Sequence, residues 1–227
     1  MCFSASASFG AGIILSVISV VSIKKVKQTS QIAFASIPLI FAVQQFTEGL
    51  LWLALTHPLC APFERGATYV FLFFAQIVWP VWVPFAILVL AKKNQRKPIE
   101  KILVVIGGVV SLYLAYCLAS YPVQAKVIGY HIAYGQDYPA GLSHYGGALY
   151  IIATIVPPFF SPIKRMWLLG AAILISYIIT TLFYTDYIVS VWCFFASIIS
   201  ITVYLVMRQS GKARNKDWGR TIVLKDR

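Results

Sequence analysis

The sequence predicts an all-α, polytopic membrane bundle of seven transmembrane helices, with the N-terminus outside and the C-terminus cytoplasmic. Three observations carry that expectation. Apolar runs long enough to cross a bilayer recur along the chain, the few charges fall between them, and Lys and Arg concentrate in every second connection. With 59% hydrophobic and 11% charged residues and a mean hydropathy of +0.79, the 227-residue chain is excluded from the ordinary soluble class. A net charge of +12 is unusual, but its distribution marks it as topogenic charge, so no nucleic-acid partner is expected.

Residues 1–207 read as the seven-helix transmembrane domain and residues 208–227 as a basic cytoplasmic tail with the composition of a disordered segment. The first apolar core, Phe9 to Ile23, starts a helix near Ser4 to Ser8. It lacks a preceding basic flank and an A-x-A site, so it is expected to stay in the mature chain. Ser8, Gly12 and Ser16 recur at every fourth position, a face on which another helix backbone approaches closely. Lys24, Lys25 and Lys27 end the span, and a second helix is predicted from Gln31 to Leu55, kinked near its start at Pro38. A third span, about Phe63 to Ala91, contains WPVWVP, whose Pro80 and Pro84 should bend or unwind it. The fourth is predicted from Lys101 to Tyr121.

Between Pro122 and Ser143 apolar and polar residues alternate, and a Gly-Gln-Asp-Tyr-Pro turn signal follows, which predicts a short hairpin lid. A fifth span from about His144 to Phe160, a sixth from Met166 to Tyr184 and a seventh from Tyr187 to Met207 complete the set. On this alternation 17 of the 19 Lys and Arg fall on one side, leaving only Arg65 and Lys126 on the other. The richer side is assigned to the cytoplasm.

Within the second helix, FAVQQFTEGLLW interrupts an apolar run with Gln44, Gln45 and Glu48. At 100° per residue these share an arc with Phe41 and Trp52, opposite Leu39, Ala42, Val43, Phe46, Leu50 and Leu53. A carboxylate on a spanning helix costs several kcal/mol unless it is paired, protonated or in water. Glu48 is therefore either the acid of an outward-facing polar pocket, with Gln44, Gln45, Gln76, Trp52 and Trp79 as ligand-binding neighbours, or a neutral packing residue. Polar stripes Tyr177, Thr180, Thr181, Tyr184 and Ser190, Cys193, Ser197, Ser200, Tyr204 would line such a pocket or simply pack.

All His and Cys residues fall on the predicted outer side. Cys2, His57, His131, His144 and Glu48 are thus candidate ligands of a Zn or Cu site, although no Cys-x-x-Cys, His-x-x-x-His or His-Glu-x-x-His spacing occurs. The alternative is oxidation: 4 Cys allow 3 disulfide connectivities, among them Cys2 to Cys60 with Cys117 to Cys193. Every Lys lies in a loop or tail, which excludes a retinal Schiff base, and no P-loop, dinucleotide turn or G-x-S-x-G elbow is present.

The stretches MCFSASASF, PLIFAVQQFTEGLLW, FFAQIVWPVWVP, HIAY and SVWCFFA resemble a family of bacterial multispanning membrane proteins of unknown function whose members begin MCFSA. The resemblance runs from Met1 to about Met207. It implies a bacterial inner-membrane location and the same architecture, and brings no activity or site residues. The residues then support a protein embedded in the bilayer that binds or transports a small ligand or metal ion through the Glu48 pocket. The alternatives are a Zn- or Cu-dependent membrane enzyme using the same outer residues, and a structural subunit of a membrane complex.

Overall fold

The computed structural model describes residues 4–184, 187–195 and 199–208. Cys2, Asp186, Ser197 and the 209–227 part of the tail therefore lie outside the described residues, as do the side chains of His144 and Cys193. The first helix, α1, runs Ala5–Ile23, its first turn closed by the Ser4 hydroxyl accepting from the Ala7 amide at 3.2 Å. After a lysine-bearing loop the second span is divided into α2 (Ile32–Ala35) and α3 (Ile37–Thr56). The break is where the sequence places it, because Pro38 sits in the first turn of α3, where a missing N–H costs nothing.

The small residues of α1 do what their spacing predicts. Gly12 lies against the Phe46 ring and Gly49 of α3 against the Phe9 ring, with open-site clearances of only 3.0 and 2.9 Å for an added Cβ. Each ring fills the notch left by a glycine on the other helix, so α1 and α3 pack as a pair.

The third span is interrupted as its prolines require. It comprises α4 (Glu64–Leu72), a π-helical stretch Phe73–Val78, and α5 (Trp79–Leu90). Pro80 has no N–H to offer the Gln76 carbonyl and Pro84 none for Pro80, so the regular ladder cannot pass through this region. Next comes α6 (Pro98–Ser120), started by Pro98 at its first position and by the Glu100 carboxylate accepting from the Lys97 amide at 2.9 Å. At Gly107 the α6 backbone lies directly against the Pro80 carbonyl, and a Cβ there would overlap it.

A hairpin follows, with β1 (Val123–Ile128) antiparallel to β2 (His131–Gln136) in a register that pairs Ile128 with His131 and Val123 with Gln136. The hairpin is as predicted, but its turn is at Gly129-Tyr130. Gly129 takes φ 61, the left-handed backbone a two-residue turn needs, while the Gly-Gln-Asp-Tyr-Pro signal instead leads out of β2. Ala125 and Ile132 face inward onto Leu51, Trp52 and Ala67, which fastens the hairpin over the end of the bundle.

The remaining helices are α7 (Ala140–Ile155), α8 (Pro157–Phe160), α9 (Met166–Phe183), α10 (Ile188–Phe194) and α11 (Ile199–Arg208). Here the expectation of seven transmembrane helices is corrected. Among the described residues five helical stretches are long and apolar enough to cross a membrane: Ala5–Ile23, Thr29–Thr56, Pro58–Leu90, Pro98–Ser120 and Met166–Phe183. Among the described residues the fifth and seventh predicted spans contribute only the shorter apolar helices Gly147–Phe160 and Ile199–Arg208. In the fifth, Pro157 and Pro158 divide α7 from α8, an interruption that apolar composition does not register. The seven-helix bundle with its assigned termini thus gives way to an all-α, largely apolar, multi-pass bundle capped by one hairpin. Its central core joins α2, α3, α5, α9 and α11 through Phe34, Phe41, Trp79, Ile87, Leu169 and Val203.

Candidate functional site

The polar face of α3 is turned wholly inward. Gln44, Gln45 and Glu48 are all buried to within 1% of completely. Groups of this kind, away from water, need partners on neighbouring elements, and they have them. The Glu48 carboxylate accepts from the Ser190 hydroxyl of α10 at 2.7 Å and from the Gln45 side-chain amide at 3.2 Å. One turn below, Gln44 accepts from the Trp79 indole N–H at 2.8 Å. The Trp79 ring in turn lies on Phe41, centroids 3.9 Å apart and planes 26° from parallel. The face thus ties α3 to α10 at one level and to the broken helix at the next.

The break between α4 and α5 frees backbone carbonyls at membrane depth, where each unpaired group would cost several kcal/mol. Side chains from neighbouring elements donate to groups of the π-helical stretch. The Tyr150 hydroxyl of α7 donates to the Ala75 carbonyl at 2.6 Å, and the Ser111 hydroxyl of α6 to that of Ile77 at 2.7 Å. Tyr138, in the link from hairpin to α7, donates to the Gln76 side-chain oxygen at 3.0 Å. Burial, with the Cys117 thiol a smaller influence, pushes the Tyr138 phenol up to about 12, so it stays a neutral donor at any physiological pH.

Beside the break lies a cavity of about 370 Å³. Phe41 and Trp79 form one wall. Tyr150 and Tyr177 flank Trp192 on the other, at 5.8 and 5.4 Å between ring centroids, and Tyr113 and Tyr138 close the set of seven aromatic side chains. Trp192 is held by its own indole N–H, which donates to the Ser176 hydroxyl at 3.0 Å. Among the described residues, Gln76, Gln136 and Thr154 are polar groups of the lining, and none of those described in it is Asp, Glu, Lys, Arg or His. Both indoles are pinned by hydrogen bonds to the protein and present ring surface to the space. Such a concave, mostly apolar and aromatic enclosure with a few polar groups is the usual form of a small-molecule site.

The sequence-derived candidates divide among several places. Gln76 and Trp79 line the cavity, and Gln44 orients Trp79 from behind. Gln45 and Glu48 sit about 6 and 10 Å further along α3 than Phe41, with Glu48 bonded to α10, and neither is among the residues lining the cavity. Glu48 is an internally bonded acid in this arrangement. Trp52 belongs to the separate cluster under the hairpin. His57 is exposed in the turn after α3. His131 stands between Tyr184 and Tyr187, stacked on the latter at 4.5 Å, and burial lowers its pKa. Among the described residues, no three His, Cys, Asp or Glu side chains come together as a metal-ligand set, and Cys60 and Cys117 are free thiols. Sequence reasoning missed Tyr138, Tyr150 and Trp192, which looked like ordinary apolar-helix and loop aromatics. No local pattern in the sequence marks them out.

No curated protein and no solved structure matches the chain. A family model described as "Family of unknown function (DUF6629)" matches residues 1–218, nearly the whole length and all of the elements that build the cavity. The chain is a multi-pass membrane protein that belongs to this family.

Proposed function

We propose that this is a ligand-binding protein of the bacterial inner membrane that holds, and in moving it transports, a small molecule in the aromatic cavity beside the α4–α5 break. One observation carries the reading: seven aromatic side chains from separate elements converge on a space of about 370 Å³. A break of this kind is favourable only where neighbouring groups satisfy it, and broken helices of transport proteins line their binding sites. The polar face of α3 serves the site from behind, with Gln44 fixing the Trp79 ring and Glu48 fastening α10 so that Trp192 faces it. The lysine-rich connections at the opposite end from the hairpin assign that end to the cytoplasm. The cavity then lies toward the outer leaflet, with Gln136 and Tyr138 covering it.

The test is to purify the protein in native-lipid discs, extract it, and identify by mass spectrometry any small molecule retained in stoichiometric amount. Filling the cavity is the control. Gly147 is in its lining and a Cβ there meets nothing within 4 Å, so Gly147→Phe places a ring in the space without a clash in its immediate surroundings. A compound present with wild type and absent with Gly147→Phe supports binding in the cavity. Equal retention by both proteins would contradict it.

A further inference from the structure

Gly147 lines the cavity and is itself exposed. Tyr113 and Leu114, on the neighbouring helix α6, also line the space. Gly147 is seven residues from the hairpin end of α7, and Leu114 is six from the hairpin end of α6. At 1.5 Å per residue both lie about 10 Å inside the bundle. The α6 helix has 23 residues and rises about 34 Å, so that depth is within the hydrocarbon layer. The surface around this point is apolar: Leu112 and Tyr116 are 74% and 62% exposed on α6, and Leu149 is exposed on α7.

We infer that the seam between α6 and α7 at Gly147 is a lateral portal through which an uncharged, largely apolar aromatic molecule reaches the cavity from the bilayer. This rests on the ligand-binding reading above and specifies its substrate class and route. Two independent features agree with it. A charged ligand would find no counter-ion among the described lining residues and would lose its hydration in a low-dielectric space. Four donors of the wall are engaged within the protein: Trp79 with Gln44, Trp192 with Ser176, Tyr138 with Gln76 and Tyr150 with the Ala75 carbonyl. Besides the Tyr113 hydroxyl and the Gln136 side-chain amide, which are buried without a partner and can meet one acceptor-bearing end of a ligand, the wall offers ring faces and carbon surface, and these favour offset-stacked and edge-to-face aromatic contacts. The helices α6 and α7 are neighbours, and a Cβ at residue 147 would meet nothing within 4 Å.

The experiment uses full-length protein in lipid discs and two probes, 1-aminoanthracene, which is uncharged at neutral pH, and tetraethylammonium, which is cationic and stays in water. Saturable binding of 1-aminoanthracene above the partition into empty discs is expected for wild type. Gly147→Phe should weaken it at least tenfold, whereas Gly108→Phe should not. Gly108 is likewise a glycine with open space, but it is absent from the cavity lining. Should Gly147→Phe fail to fold, Leu114→Trp narrows the same seam from α6. Saturable tetraethylammonium binding that is indifferent to Gly147→Phe and Leu114→Trp would overturn the portal and the ligand class while leaving a ligand-binding protein. Binding of neither probe, together with no retained small molecule, would overturn both.

Discussion

Glu48 shows how much a single residue's environment decides. An acid in an apolar run marks a functional site by default, yet here both carboxylate oxygens have partners within the protein, Ser190 and Gln45. Its work is to hold α10 on α3. Glu48→Gln keeps an acceptor for Ser190 and should change stability by about 1 kcal/mol or less, whereas Glu48→Leu leaves both partners buried and unpaired and should cost about 1–3 kcal/mol. Unfolding in mixed micelles with increasing denaturing detergent would measure the difference; equal losses for the two variants would contradict the role. His131 makes a second residue-scale prediction. Burial between Tyr184 and Tyr187 lowers its pKa below the ordinary value near 6.5, so the docked hairpin holds it neutral. The undocked state takes up a proton first as pH falls. Docking is thus fully stabilised above about pH 6.5 and weakens as pH drops through that value toward the depressed one. Hydrogen exchange in residues 123–136 should quicken between pH 7 and 5.5, and His131→Phe should flatten the profile. A rate corrected for intrinsic exchange that does not vary with pH would contradict it.

At the scale of elements, the α4–α5 break is the part most legible in the sequence and the part whose consequences were least legible. Pro80 and Pro84 announce that the helical ladder fails, because a ring nitrogen has no hydrogen to donate. They do not say which neighbours repair it. Tyr150, Ser111 and Tyr138 bond the interrupted stretch from positions 34 to 75 residues away in the chain, a distance over which no local pattern operates. Tyr150→Phe and Ser111→Ala each remove a donor to one carbonyl of the π-helical stretch and should each cost about 1–3 kcal/mol, measured by the same detergent unfolding; losses near zero would contradict the role. The two carbonyls are neighbours in one stretch, so the double variant should depart from the sum of the single losses. Gly107→Ala is the more severe change. Its Cβ would fall on the Pro80 carbonyl, backbone against backbone, so α6 must move away, and loss of folded protein in gel filtration is expected. A folded, monodisperse Gly107→Ala protein would contradict this close approach.

For the whole molecule, composition and charge distribution were sufficient to read a multi-pass, all-α membrane protein, because burying backbone in lipid leaves few alternatives. They were insufficient to count its spans. Hydropathy alone does not register the interruption at Pro157-Pro158, which divides the fifth predicted span into α7 and α8. The site was half legible. Gln44, Gln76 and Trp79 stood out as polar or aromatic interruptions, and the structure gathers them at one wall of the cavity. Tyr150, Tyr177 and Trp192 did not stand out as a group, since a wall built from three helices has no sequence period. The cavity they complete is what makes the molecule a binding protein in this account.

That account is tested most directly by the indole N–H resonances of the six tryptophans, recorded in lipid discs during titration with 1-aminoanthracene. Trp79 and Trp192 line the cavity, Trp52 is buried under the hairpin, and Trp167 is 58% exposed on α9. Saturable shifts at Trp79 and Trp192, with Trp52 and Trp167 unmoved, are the predicted result. Shifts confined to Trp167, or equal at all four, would show that the probe meets only the lipid-facing surface and would contradict a ligand site in the aromatic cavity.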